Sequence, residues 1–357
     1  MYFGLQLPAL ARDLQVSVAM AGQLVTLFAF TVMLCGPLLT AWLSHVERKR
    51  LFVVILLVFA AANALAAMAT SIWVLAIARF IPALVLPVFW GTASETAAQI
   101  VGPQKAGLAV SRVYLGISAA LLFGIPLGTV AAIQFGWRST FGLLSGLSLI
   151  MAIALAAFMP RVAQPTRVRM AEQLRILHDK RFLLQILLSV LVFTAMFTAY
   201  TYLADFLETV AGVKATHVGW WLMGFGAVGL GGNWLGGRYV DRNPLGATIV
   251  CVVVLGLGML SSVSMVSSYT GLAGALAIWG IAYTALFPIC QVRVMKAASH
   301  AQALAGTFNV SAANAGTGLG AMLGGLVIPT FGVQHITYVA AGVALVAVLL
   351  AISMIKR

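Results

Sequence analysis

Eleven apolar runs follow one another along this chain with only short polar connections between them, at about 18–43, 51–71, 74–99, 106–132, 139–159, 182–204, 216–237, 245–267, 271–291, 303–329 and 335–355. A helix rises 1.5 Å per residue and a bilayer core is about 30 Å thick, so roughly twenty apolar residues cross it. Inside lipid every backbone N–H and C=O needs an internal partner, which leaves only helices and closed barrels. Barrel strands would give short alternating segments, and these runs are continuous. The predicted fold class is therefore an all-α polytopic membrane protein. Composition agrees: 8% of residues are charged, against about 25% in a soluble domain. Mean hydropathy is +1.04.

The opening, MYFGLQLPALA, is different. Eleven residues of helix rise only about 16 Å before Arg12 and Asp13 arrive. The segment lacks the cationic start and small-residue cleavage site of a signal peptide. It reads as a partial first helix ahead of eleven full spans.

The formal net charge of +13 invites a nucleic-acid reading, but its distribution favours a topology signal. Alternate connections carry Arg48, Lys49 and Arg50; Lys105 and Arg112; the loop PRVAQPTRVRMAEQLRILHDKR; Arg238 and Arg242; Arg293 and Lys296; and Lys356 and Arg357. Together these hold 17 of the 21 Lys and Arg residues. The opposite side has Arg12, Arg138 and Lys214, and Arg79 lies inside a span. The positive-inside rule then puts the middle loop and the C-terminus in the cytoplasm. The expected organisation is a transmembrane half at 1–159, a cytoplasmic loop at 160–181 and a second half at 182–357. A repeat supports two halves: at an offset of 196, Gly124, Gly128, Phe135 and Gly136 fall on Gly320, Gly324, Phe331 and Gly332. Repeats of this kind place a substrate site between halves near the membrane midplane.

Several polar groups interrupt the spans, where ionisable residues are costly and face a cavity or a partner. Arg79 in the fourth span is either a coupling or substrate-orienting group, or a side chain snorkelling to the outer interface. Trp90, eleven residues later, lies on the same helical face and is a candidate aromatic wall. Glu95, sixteen residues and about 24 Å further in, is too far from Arg79 to pair; it is a third proton-coupling candidate beside Arg79 and Asp205, or an inner-interface acid. In the seventh span Thr194, Thr198, Thr201, Asp205 and Glu208 step by four and three, a single stripe flanked by Tyr200 and Tyr202, and these threonines and tyrosines are candidate lining of the substrate cavity. Facing the interior, Asp205 would be a desolvated, protonatable group; at the outer headgroup level it would be hydrated. Thr307, Ser311 and Asn314 make a shorter stripe in the eleventh span and are candidate cavity lining.

Enzymatic readings find little support. Gly224-Phe-Gly226-Ala-Val-Gly229 spells a nucleotide fingerprint, but it lies inside a span with no preceding strand, so a packing face is expected. There is no Walker motif, HExxH or plausible triad. Cys35, Cys251 and Cys290 sit in apolar runs and read as small packing residues. No cofactor or metal is implied.

Three features carry a resemblance: Arg48-Lys-Arg50 closing the loop TAWLSHVERKR, the frame Gly237-Arg-Tyr-Val-Asp241-Arg242, and Gly116, Gly124, Pro126 and Gly128 in the fifth span. Over essentially its whole length the chain resembles the major facilitator superfamily, in its drug–proton antiporter branch. The bacterial sugar, arabinose and purine-nucleoside efflux permeases are the nearest pattern. The resemblance implies two six-helix halves, both termini cytoplasmic, in a bacterial inner membrane. It implies that the two charged loops act as conformational gates and that the fifth-span motif marks export. The first loop departs from the family pattern: its Gly, Asp and Arg positions are Thr40, Ser44 and His45. The family's E-F-x-x-x-G-L-L-P-x-I-A, laid on Leu7 to Ala11, puts its acid just before Met1. The implied function is proton-coupled efflux of small organic solutes by a monomer. The rivals are a non-transporting remnant or sensor on a transporter fold, and an uptake facilitator.

Overall fold

The computed structural model describes Leu10 and residues 13–16, 18–43, 45–160 and 174–355. Most of the short opening, Arg12, Ser44, most of the middle loop and the terminal Lys356 and Arg357 lie outside the described residues.

The described helices are α1 Val18–Leu43, α2 Arg48–Ala67, α3 Ile72–Val101, α4 Ala106–Ala119, α5 Ile125–Phe135, α6 Trp137–Phe158, α7 Lys180–Tyr200, α8 Ala215–Tyr239, α9 Pro244–Ser264, α10 Tyr269–Ala297, α11 Gln302–Phe331 and α12 Ile336–Ile355. Nine described segments are long and apolar enough to cross a membrane. Helices α1 and α8, at 26 and 25 residues, are long enough on length alone. Local chemistry sets several starts. Ser71, Asp179, Asn243 and Ser268 each accept a hydrogen bond from a backbone N–H of the first turn, and Pro244 occupies the first position of α9.

The fifth span is one crossing in two pieces. A π-helical turn, Ala120–Gly124, joins α4 to α5 just ahead of Pro126. Proline has no N–H for the carbonyl four residues back, and the wider turn absorbs the lost register. The seventh span ends earlier than its apolar run: α7 stops at Tyr200, and after a turn the chain continues as Leu203–Asp205 and a π turn at Phe206–Val210.

Helix packing follows the repeat. In the first half α1 packs on α3, α2 on α3 and α6, and α3 on α4. In the second half α7 packs on α11 and α12, α9 on α10 and α12, and α8 on α10. The repeat is exact enough to fix backbone angles. Gly136 and Gly332 open the last helix of each half with φ 82° and 85° and ψ 162° and 164°, a left-handed-side conformation that glycine adopts without strain. The outer helices α6 and α12 present Leu147, Ile150 and Ile153, and Leu345, Leu349 and Ile352, as exposed apolar faces suited to lipid. The glycine motif of α8 packs only in part: Gly229 meets Thr284 of α10, while Gly224 is exposed with nothing among the described residues within 4 Å of its Cβ position. Gly232 and Gly236 admit the α10 backbone, and Gly224 borders an apolar cavity of about 330 Å³ beside Trp220, Trp221 and Phe225.

Candidate functional site: the seam at the basic end

The two halves meet along α1–α11, α3–α11, α4–α8 and α4–α10. Their polar contacts gather toward one end of the bundle, the end that carries Arg48, Lys105, Arg238 and Lys296.

Two carboxylates organise this seam. On one side, Glu95 near the end of α3 accepts a hydrogen bond from the Arg48 guanidinium at 2.6 Å, and the backbone of Ala303 at the start of α11 lies beside it. The side chains are 1% exposed for Arg48 and 11% for Glu95. On the other side, Asp241 between α8 and α9 accepts from the Gly107 N–H at the start of α4, at 2.8 and 2.9 Å to its two oxygens. Lys296 at the end of α10 donates to Asp241 at 3.2 Å and to its carbonyl at 3.0 Å. Each acid therefore sits on the N-terminus of a helix belonging to the other half, where unpaired N–H groups and the helix dipole favour negative charge.

The chain permits this because the facing surfaces are small. A Cβ on Gly107 would lie 2.6 Å from the Gly237 carbonyl, and one on Gly91 would lie 2.6 Å from that of Ala303. Toward mid-depth the halves exchange hydroxyl contacts. Thr40 and Thr307 are 2.9 Å apart, Thr307 donates to the Pro87 carbonyl, Ser311 donates to that of Met33, and Asn233 donates to that of Ser111.

At a similar level to the Thr307–Pro87 contact, aromatic rings also cross the seam. Trp90 stacks on Tyr114 with centroids 4.9 Å apart, and Tyr114 reaches Phe287 of α10 at 6.3 Å. Phe287 in turn contacts Phe193 and Tyr283. Trp90 lies five residues before Glu95, about 7.5 Å further from the basic end. It keeps part of its surface open, as does Phe287.

The structure rearranges the expected roles of several residues. Arg48 and Asp241 take part in the seam. Lys49 does not, Arg50 pairs locally with Glu47, and Arg242 is exposed. Gly237 serves close approach, as its position in the motif implied. Arg79 sits over the Phe28 ring at 4.9 Å, well away from Glu95. Ser311 and the half-buried Asn314 lie on α11 facing inward, with Asn314 donating to the Val310 carbonyl.

The seventh-span stripe requires correction. Thr194 and Thr198 are buried against Gly316, Gly320 and Gly324 of α11, where small residues let two helix backbones touch. Their hydroxyls, and that of Thr201, return to carbonyls of their own helix. Tyr200 is stacked on Tyr283 in the core of the second half, and the Tyr202 hydroxyl donates to the Ala321 carbonyl. These local and helix-packing roles of Thr194, Thr198, Thr201, Tyr200 and Tyr202 replace the predicted cavity lining. Asp205 is exposed beyond the end of α7, because the break at Thr201 takes it and Glu208 out of line with the threonines. It is a hydrated surface acid and not a desolvated one. In the fifth span, Gly116 and Gly124 are exposed, with no other helix against them among the described residues; Gly128 is half-buried.

Sequence reasoning also missed a buried polar chain in the second half. Arg293 donates to Gln185 and, at 2.8 Å, to Ser189; Ser189 donates to Asn309, and Asn309 donates to Gln291. Arg293, expected among the loop charges, is instead buried inside α10, which runs on to Ala297, and the available signal was Gln291 at the end of the apolar run two residues before it.

Comparison with known proteins places these features in context. A profile described as Major Facilitator Superfamily matches residues 1–313. The chain is 33% identical to the inner membrane transport protein YdhP of Escherichia coli O157:H7, across 96% of this chain and 89% of that protein. It is 31% identical to the chloramphenicol efflux pump Rv0191 of Mycobacterium tuberculosis, across 90% and 80%. It is 29% identical to a probable sugar efflux transporter of Helicobacter acinonychis, across 95% and 86%. Among solved structures, the transporter FucP in the outward conformation superposes with a TM-score of 0.76 at 14% identity, covering 99% of this chain and 95% of that one. A bacterial homologue of the iron transporter ferroportin in an outward-facing state gives 0.74 at 15% identity, covering 100% and 96%. At such identities these structures speak for the fold alone.

Proposed function

We propose that this chain, which belongs to the major facilitator superfamily, exports small organic solutes in exchange for protons. It is a multi-pass membrane transporter. The reading places it in a bacterial cytoplasmic membrane as a monomer, with the basic end and the C-terminus in the cytoplasm. The segments 1–159 and 182–357 act as two rocking units joined by the 160–181 loop.

One observation carries the mechanism: the polar contacts between halves gather at the basic end, where Asp241 binds the start of α4 across the seam and Glu95, paired with Arg48 of its own half, faces the start of α11. That geometry describes a transporter shut toward the cytoplasm. Trp90 and Phe287 form the floor of the path above it, with Ser311, Asn314 and Arg79 at its sides. A ring with an apolar face and polar edges, such as a sugar, a nucleoside or an aromatic drug, suits this mixture of surfaces. The sugar and chloramphenicol exporters among its relatives favour such solutes.

Glu95 is the coupling acid in this scheme. As a carboxylate it holds Arg48 beside the start of α11. With a proton added it loses that charge, and the basic end opens. The proton then leaves to the cytoplasm, solute binds, and recharged Glu95 draws the halves together again.

Inverted membrane vesicles carrying the protein test the reading. An imposed proton gradient should drive uptake of radiolabelled sugar, nucleoside or chloramphenicol, and collapsing the gradient should abolish it. Absence of gradient-dependent uptake for all three solute types counts against the proposal.

A further inference from the structure

Beside the Asp241 contact, and between the halves, lies a pit of about 290 Å³. Its floor is apolar and buried: Ala106 and Val110 of α4 on one side, Val292 and Met295 of α10 on the other. Its rim is polar: exposed Gln99 and Lys296, with half-buried Gln302. Two helices begin at this rim, α4 at Ala106 and α11 at Gln302, and two end at it, α3 at Val101 and α10 at Ala297, so the helix dipoles offset and the cationic side chains set its charge. The Lys296 ammonium has three hydrogens, and Asp241 takes two contacts from it. The surrounding surface adds exposed Lys105, Arg238 and Arg242. The nearby acids are engaged: Asp241 with Gly107 and Lys296, Glu95 with Arg48.

We propose that this pit binds small amphipathic organic anions, with the apolar body on the floor and the carboxylate at Lys296 and the rim amides. A ligand there touches α3 and α4 of one half and α10 and α11 of the other, so it fits only while the basic end is shut. Its binding holds the transporter in that state, by as much as its affinity differs between the two states. This role rests on the rocking reading above; the binding site itself does not.

The test uses the full-length protein in nanodiscs of neutral phosphatidylcholine, with 1-naphthoate as probe in equilibrium dialysis. Saturable binding at one site per chain is expected, at least tenfold tighter than for 1-naphthalenemethanol and for inorganic phosphate. Ala98→Phe fills the pit from α3, and Gln302→Glu adds a negative charge at the rim without removing a helix residue. Each should weaken binding tenfold or more. Lack of saturation, equal binding of the neutral alcohol or of phosphate, or affinity unchanged in both variants overturns the site. Spin labels at the exposed positions Arg50 and His300 report the basic end separately. Naphthoate should narrow their distance distribution toward the shut state. Binding that the variants weaken but that leaves this distribution unchanged overturns the locking role, and it also separates the fate of the site from that of the rocking mechanism.

Discussion

Replacing Glu95 with Gln removes one charge and almost no volume, which makes it the sharpest probe of the seam. In the shut state it leaves Arg48, whose side chain is 1% exposed, without its carboxylate at 2.6 Å. Stranding one member of a buried ion pair costs about 3–5 kcal/mol. Arg48 keeps a further interaction, so the lower end of that range applies. In the open state Arg48 reaches water and the loss is small. The shut-to-open ratio should therefore fall by about 3 kcal/mol, on the order of a hundredfold. Pulsed electron resonance between labels at Arg50 and His300 measures that ratio directly. A second variant, Arg48→Gln with Glu95→Gln, removes both charges and leaves no stranded cation, so it should recover most of the shut population. Identical distance distributions for wild type and Glu95→Gln would refute the reasoning. So would equal opening in the single and double variants, since opening then could not come from a stranded charge.

Asp241→Asn should open the same end by less, about 1–2 kcal/mol, because the amide oxygen still accepts from Gly107 and Lys296 is one-third exposed; the same label pair reads it. Gly320→Val should lower thermal stability in detergent by about 3 kcal/mol or more, since its Cβ would lie 2.7 Å from the Thr194 carbonyl and the Thr198 amide. At the opposite end, Arg138 hydrogen-bonds Asp13 and holds its carboxyl below the ordinary value. That tie is present above pH ~4 and fades as the pH falls through the lower folded value. Both groups are well exposed, so Asp13→Asn should cost less than about 1 kcal/mol. Melting curves of the two proteins should differ slightly at pH 7 and converge near pH 3.

The spans, the repeat and the Gly237-to-Asp241 contact surface were legible in the sequence because each rests on local chemistry. Long apolar runs have few folded alternatives in lipid, and Gly136 and Gly332 share both an offset and a backbone conformation. Asp241 was legible because its Gly-to-Asp frame is intact. Glu95 stood out as an acid inside a span, but its partners did not, because they come from other elements: Arg48 lies 47 positions away and Ala303 belongs to the other half. With Ser44 and His45 at the first loop's acid and Arg positions, the corresponding carboxylate in this half comes from a helix and not from the loop. The threonine stripe misled because a spacing of four and three marks any helix face. It cannot distinguish a wall of water from a row of glycines on a neighbouring helix. Gly316, Gly320 and Gly324 held that information, but only their pairing with α7 reveals it.

The smallness of the seam has a consequence for speed. Gly91, Gly107, Gly237, Thr40, Thr307 and Ser111 offer water backbone carbonyls and hydroxyls once the faces part. A seam of leucines would expose wide oily walls on opening and would resist wetting. Here these stretches of the bared faces hydrate readily, and the oily area to be wetted is confined to the Tyr114–Phe287 rings and the cluster of Val110, Val240, Ile289 and Val292, so separation and closure can alternate with little apolar surface to wet.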